Sequence, residues 1–241
     1  MIMKVGIMQP YLFPYIGYFQ LIKAVDTFVI HDDVQYIKGG WINRNRVLLN
    51  KTDYLYTFSL QNDSSSKHVN QRYFTPDFKQ QCQKFMRVLQ TAYGNAPYFE
   101  RTQEMVKNVF KAMSPENIEE DIAVKIGRSV RLIASFLDLD TNFMSSSSLE
   151  KDEQTEGEDR VLEIAHQLNA ETYINAIGGK ELYNPQKFNN EGIELYFIQP
   201  KKIPYRQFPD EFVPWLSIID VCMFNSREEI NELLASYSLI Q

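Results

Sequence analysis

Lys38, Arg44 and Arg46 form the dense basic cluster that falls beside a predicted strand edge in this chain of 241 residues. Arg44 and Arg46 are two apart, so on an extended segment their side chains point the same way. Two guanidinium forks so placed can hold a diphosphate or a carboxylate bidentately. Gly39, Gly40 and Trp41 beside them suit a backbone that approaches a ligand and a ring that stacks on it. Asn43 and Asn45 then face the opposite side of a regular strand. Asp32 and Asp33, at the end of an apolar run, can bind Mg²⁺ or act as a general base. The same two residues can instead cap the next turn or pair with Arg44. Gln9-Pro10 closes the first apolar run and can present an amide to substrate, as can Gln35. Gly178-Gly179-Lys180 has the make-up of an anion nest with a mobile lysine, or of a plain turn.

Aromatic and histidine side chains complete the inventory. Tyr11, Phe13, Tyr15, Tyr18 and Phe19 can wall a sugar or base, with Phe13 and Phe19 better explained by core packing. Of the three histidines, His31 reads as packed in a strand, and His68 and His166 as surface residues. A histidine-based triad has little support, and no metal-ligand constellation is expected. Cys82 and Cys222 lie far apart and read as small buried hydrophobes. Asp220 falls in an apolar helix, where a carboxylate needs a partner, so its role reads as structural pairing.

Alternating strands and helices must position these groups. Val5–Met8 and Thr27–Ile30 read as short apolar strands around a helix with Pro14 in its first turn. Residues 46–49 and 54–60 read as two further strands joined by a turn at 50–53. Residues 62–70 read as a polar loop. Apolar residues at helical spacing predict three helices between Asp77 and Leu137, with Ser114 capping the last and Pro115 in its first turn. A strand at 141–144, an acidic loop at 149–159, a helix at 160–168 and strands at 172–176 and 193–198 follow. Residues 215–220 and 226–235 close the chain as helix. This alternation argues for an α/β fold with a parallel sheet. The organisation expected is one domain over 1–241: an α/β core at 1–60 and 138–200, a helical insertion or second layer at 75–137, and a C-terminal helical segment at 201–241.

The composition narrows the function. A hydrophobic share of 44% supplies a sizeable core. The net charge of −6 gives no reason to expect a nucleic-acid partner. No apolar run approaches the roughly 20 residues of a membrane span, and no signal peptide is evident, so a cytoplasmic location is expected.

Met8 to Phe19 and Asp32 to Arg46 resemble the WbqC-like family, and the resemblance continues through Gly178-Gly179, Pro204-Tyr205 and Ser217-Ile218-Ile219-Asp220. It implies a role in bacterial O-antigen and surface-polysaccharide sugar pathways, and transfer of an amino acid such as glycine to an amino sugar. More distantly, Val5 to Met8 and Pro14 to Ile22 resemble the first βα unit of pantothenate synthetases and related nucleotidylyltransferases. That likeness implies a Rossmann-like, HUP-type sheet. In those enzymes two histidines flank a glycine and hold ATP phosphates. Here Gly17 matches the glycine, while Tyr15 and Tyr18 stand at the histidine positions and offer only neutral O–H groups. Gln35 matches a substrate-binding glutamine, and Ser145 to Ser148 loosely resemble a phosphate loop.

The reading that results is an aminoacyl or acyl transferase, or amide-forming ligase, acting on a nucleotide-linked amino sugar. An ATP-dependent route would use Arg44, Arg46 and Lys38 or Lys180 on phosphates and Asp32 or Asp33 on Mg²⁺ or the attacking amine. Gln9 and Gln35 would orient substrate. The alternatives are a non-catalytic nucleotide-sugar binding module and a nucleotidylyltransferase.

Overall fold

The computed structural model describes residues 2–64, 66–114, 119–152, 154–208 and 211–241. Among these, six strands form one mixed sheet in the order β5-β2-β1-β6-β7-β8. The strands are β1 (Lys4–Met8), β2 (Thr27–Ile30), β5 (Asn142–Ser145), β6 (Thr172–Ala176), β7 (Glu194–Pro200) and β8 (Tyr237–Ile240). All neighbours run parallel except β7 and β8, where Phe197 faces Ile240 in an antiparallel pair. The fold is thus α/β and Rossmann-like.

Both sheet faces are apolar because both are covered. Phe28, Ile30, Ile174 and Ile198 point into a large core shared with α1 (Ile16–Ala24), α2 (Phe78–Tyr93), α3 (Phe99–Ala112), α4 (Ile122–Phe136), α7 (Ile218–Phe224) and α8 (Arg227–Ala235). Val5, Ile7, Val29, Tyr173, Leu195 and Phe197 point the other way, toward α5 (Gly157–Gln167) and α6 (Pro185–Asn190). Adjacent residues such as Val29 and Ile30 therefore serve opposite cores, as the two-residue period of a strand requires.

β3 (Arg44–Leu49) and β4 (Thr52–Thr57) form a separate antiparallel hairpin. Its turn residues Asn50 and Lys51 both adopt left-handed backbone, at φ 50° and 64°, as a two-residue type I′ turn demands. The turn is shorter than expected because Lys51 takes a place more usual for glycine. Pro14 lies before α1 rather than within it: Tyr15 is the N-cap, and Tyr15 bridges Ser217. The helix start expected from Ser114 onward falls on residues 115–118, outside those described; α4 itself is capped by Asp121, which accepts from the Val124 N–H. The C-terminal segment is not wholly helical. Residues 201–208 and 211–216 carry no regular structure, and β8 follows α8. No described helix is long and apolar enough to cross a membrane.

Candidate functional site

The strand order reverses between β1 and β6. From β1 the chain moves outward to β2 and β5, then returns to build β6, β7 and β8 on the other side. Open α/β sheets bind ligands at such a switch point, beyond the carboxyl ends of the strands. A pocket of about 540 Å³ opens there. Tyr11, Pro14 and Tyr15 come from the loop after β1; Ile177 and Gly178 follow β6; Gln199 and Pro200 end β7. Trp41, Asn45, Lys202 and Trp215 complete the lining. Another cavity, of about 520 Å³, lies at the opposite edge around Met3, Asp26 and Asn142, where the strands begin.

Three distant segments are tied together to make this pocket. The Phe13 carbonyl accepts from the Asn45 amide at 2.9 Å and from the Ser217 hydroxyl at 2.7 Å. The Ser217 N–H donates to the Arg46 carbonyl, that of Ile218 to Pro14, and that of Leu12 to Ile42. Phe13 and Trp215 both have left-handed backbone, at φ 46° and 62°. For a bulky L-residue this costs on the order of 1 kcal/mol. The other non-glycine residues in that region are turn or post-helix positions: Asn50, Lys51, Asp138 and Asn169. Burial of its ring in the core accounts for Phe13.

Tyr15 and Gly17 form one unit. The Tyr15 ring lies over the first turn of α1, where a Cβ on Gly17 would meet its Cζ at 2.5 Å and its hydroxyl oxygen at 2.6 Å. Only glycine leaves room for the ring. Burial raises the phenol pKa values of Tyr11 and Tyr15, so both remain neutral O–H groups. Tyr18 is buried and donates to the Gln9 carbonyl at 2.9 Å, which fixes the end of β1.

Trp41 stands at the rim with both arginines against it: Arg44 and Arg46 have Cζ 5.6 and 5.4 Å from the ring centre. Arg44 also donates to the Gly40 carbonyl, and Arg46 pairs with Asp53 at 3.4 Å across the hairpin. Lys38 is exposed on the adjacent turn. Asn43 faces the protein interior, accepting from Tyr36 and donating to Phe58. Asn45 lines the pocket while its amide is engaged by Phe13 and by the Arg46 N–H. Pro10 is buried beside the partly buried Gln9. Gln35 lies apart, in an isolated bridge with His68. Gly178 lines the pocket; Gly179 is buried against Asn175; Lys180 donates to the Gln241 carbonyl.

Asp32 and Asp33 are occupied elsewhere. Beyond β2 and β5, Asp32 accepts from the Ser146 and Ser147 hydroxyls and from the Ser147 N–H. Asp33 accepts from Ser146 and pairs with Lys151 at 2.9 Å, with Arg160 at 3.8 Å. Burial pushes Asp33 up, but the Ser146 and Lys151 hydrogen bonds and the Lys151 charge outweigh it and hold its pKa below the ordinary value. The carboxylates are thus matched by protein donors and cations, and this donor set does not fit Mg²⁺. Among the described residues no group of three His, Cys, Asp or Glu is placed to hold a metal. His31 adjoins this network with a buried Nε2 that lacks a partner among the described residues; burial drives its pKa down to about 4.

The sequence pattern did not mark Trp215, Lys202 or Gln199. Gln199-Pro200 carried a usable signal, since it ends β7 with the dipeptide that follows β1 at Gln9-Pro10. The WbqC-like protein family matches residues 9–232, which contain every lining residue of the pocket. The chain belongs to the WbqC-like protein family. This WbqC-like protein is also similar to Rv1507c, an uncharacterized protein of Mycobacterium tuberculosis. The two are 27% identical over 233 residues, spanning 96% of this chain and 97% of the relative. No solved structure matches it significantly.

Proposed function

We propose that this WbqC-like protein binds a nucleotide-linked amino sugar at the switch-point pocket and acts in surface-polysaccharide modification, transferring an aminoacyl or acyl group to the sugar amine. The observation that supports this reading is the pocket itself: aromatic walls from Tyr11, Tyr15, Trp41 and Trp215, with cationic side chains at the rim. Aromatic faces suit a base or sugar ring. Lys202, Arg44 and Arg46 suit a diphosphate. In the proposed transfer the amine nitrogen bonds to the acyl carbon, the bond to the activating group breaks, and the amine gives up a proton. No step is routed through Mg²⁺ or ATP.

A second reading, a binding module without chemistry, is favoured by one observation. Among the described residues the pocket lining holds no Asp, Glu or His to take that proton, and Asp32 and Asp33 are spent on Ser146, Ser147 and Lys151. Calorimetry with UDP- and dTDP-linked amino sugars, and separately with ATP–Mg²⁺, tests the pocket. Mass spectrometry of a reaction with an activated acyl donor then separates the readings. Sugar-nucleotide binding with amide product supports the transferase, and binding without product the carrier. Binding of ATP–Mg²⁺ with pyrophosphate release would instead indicate a nucleotidylyltransferase.

A further inference from the structure

We propose that Trp215 is a ligand-contacting residue that closes one side of the pocket by stacking on the bound sugar nucleotide. The inference rests on the pocket being a ligand site, as proposed above. Trp215 holds left-handed backbone at φ 62°, a conformation in which glycine is at ease and tryptophan is strained. The residue is 54% exposed, so burial does not account for it as it does for Phe13, whose strained backbone belongs to a residue with no exposure. The ring touches Tyr15 edge-on at 6.2 Å between centres and lines the pocket.

The anchoring explains how the strain is maintained. Ser217, two residues on, is locked by its hydroxyl to Phe13 and by its N–H to Arg46. On the other side, residues 201–208 and 211–214 run without regular structure, tied down where Tyr205 and Gln207 donate to Asp220. Trp215 therefore stands between an irregular segment and a rigid anchor, with its ring held at the pocket mouth. A strained backbone that presents an exposed aromatic ring at a pocket is strain kept for binding rather than for folding.

Three variants of the full chain test this, Trp215→Ala, Trp215→Gly and Trp215→Phe, each titrated with UDP-glucosamine and dTDP-glucosamine by calorimetry and melted without ligand. Loss of a stacking ring should weaken binding roughly tenfold or more in the Ala and Gly variants, with Phe within about threefold of the parent. The Gly variant should melt a few degrees above the Ala variant, since the two lack the same ring and differ in the backbone they tolerate. The chain has two tryptophans, so in Trp41→Phe the emission reports Trp215 alone and should shift on ligand addition. If the parent binds and the Ala and Gly variants bind as tightly, ligand contact by Trp215 is refuted while the pocket stands. A Gly variant melting at or below the Ala variant refutes the strain. A parent that binds neither sugar nucleotide overturns the pocket reading and this inference with it.

Discussion

Arg44 and Gly17 show how differently two pocket residues can matter. Arg44 lies against Trp41 and, among the described residues, donates to the Gly40 carbonyl alone. Its loss removes one hydrogen bond and one cation–π contact at the rim, worth about 1 kcal/mol of stability or less. If it also holds a ligand phosphate, Arg44→Ala should weaken sugar-nucleotide binding by at least tenfold, as a lost charged hydrogen bond would, with little change in melting. Binding equal to the parent's would remove Arg44 from the site. Gly17→Ala acts the other way. The new Cβ collides with the Tyr15 ring, so either the ring or the helix must move, at a cost of about 1–3 kcal/mol. A urea titration should show that loss together with weakened ligand binding. Tyr15→Ala in the Gly17→Ala background should recover most of the stability but not the affinity, because it removes the collision and leaves the pocket open.

The strands and helices that local pattern dictates were legible: β1, β2, β6 and β7 as apolar runs, α2 to α4 as apolar stripes. β8 was not, because Tyr237–Ile240 is four residues that follow a helix directly, and their strand character comes from pairing with β7. The loop after β5 illustrates the same limit. Its serines looked like a phosphate loop, yet their hydroxyls serve Asp32 and Asp33, which arrive from β2 more than a hundred residues away. Asp33 organises that element. It neutralises Lys151, which also donates to the Ser146 and Leu149 carbonyls, while Arg160 donates to the Asp152 and Thr155 carbonyls. Asp33→Asn leaves the buried Lys151 ammonium without its counter-ion, a change that costs about 3 kcal/mol. Hydrogen exchange should show amides of residues 146–160 opening faster in this variant while those of β6 and β7 keep their order. Uniform acceleration across the sheet would mean the loop is not a separable unit.

At the scale of the whole molecule, the site is a consequence of topology, and only partly of sequence pattern. Tyr11, Trp41, Gly178 and Trp215 meet because strand order reverses between β1 and β6, and nothing near any one of them announces the others. Stability against pH is likewise a property of distant groups. Asp220 is wholly buried and faces Tyr93, Tyr205 and Gln207, which donate to it with no cation in the set. Burial outweighs these hydrogen bonds and raises its pKa from 3.8 to about 6. Between those values the folded state binds the proton that the unfolded state has lost, so this group's contribution falls as pH rises. His31 does the reverse. Its pKa drops from 6.5 to about 4, the unfolded state holds the extra proton in that range, and stability rises with pH. At about 1.4 kcal/mol per pKa unit, each group carries about 3 kcal/mol, with opposite sign over nearly the same window. Relative to the parent, His31→Asn should therefore lose about 3 kcal/mol of stability between pH 4 and 6.5, and Asp220→Asn should gain about as much. Carboxylates held low, such as Asp33, are common to all three proteins and drop out of the difference. Urea unfolding at half-unit pH steps reads both slopes, and variant profiles that run parallel to the parent's would show that neither group titrates as its burial dictates.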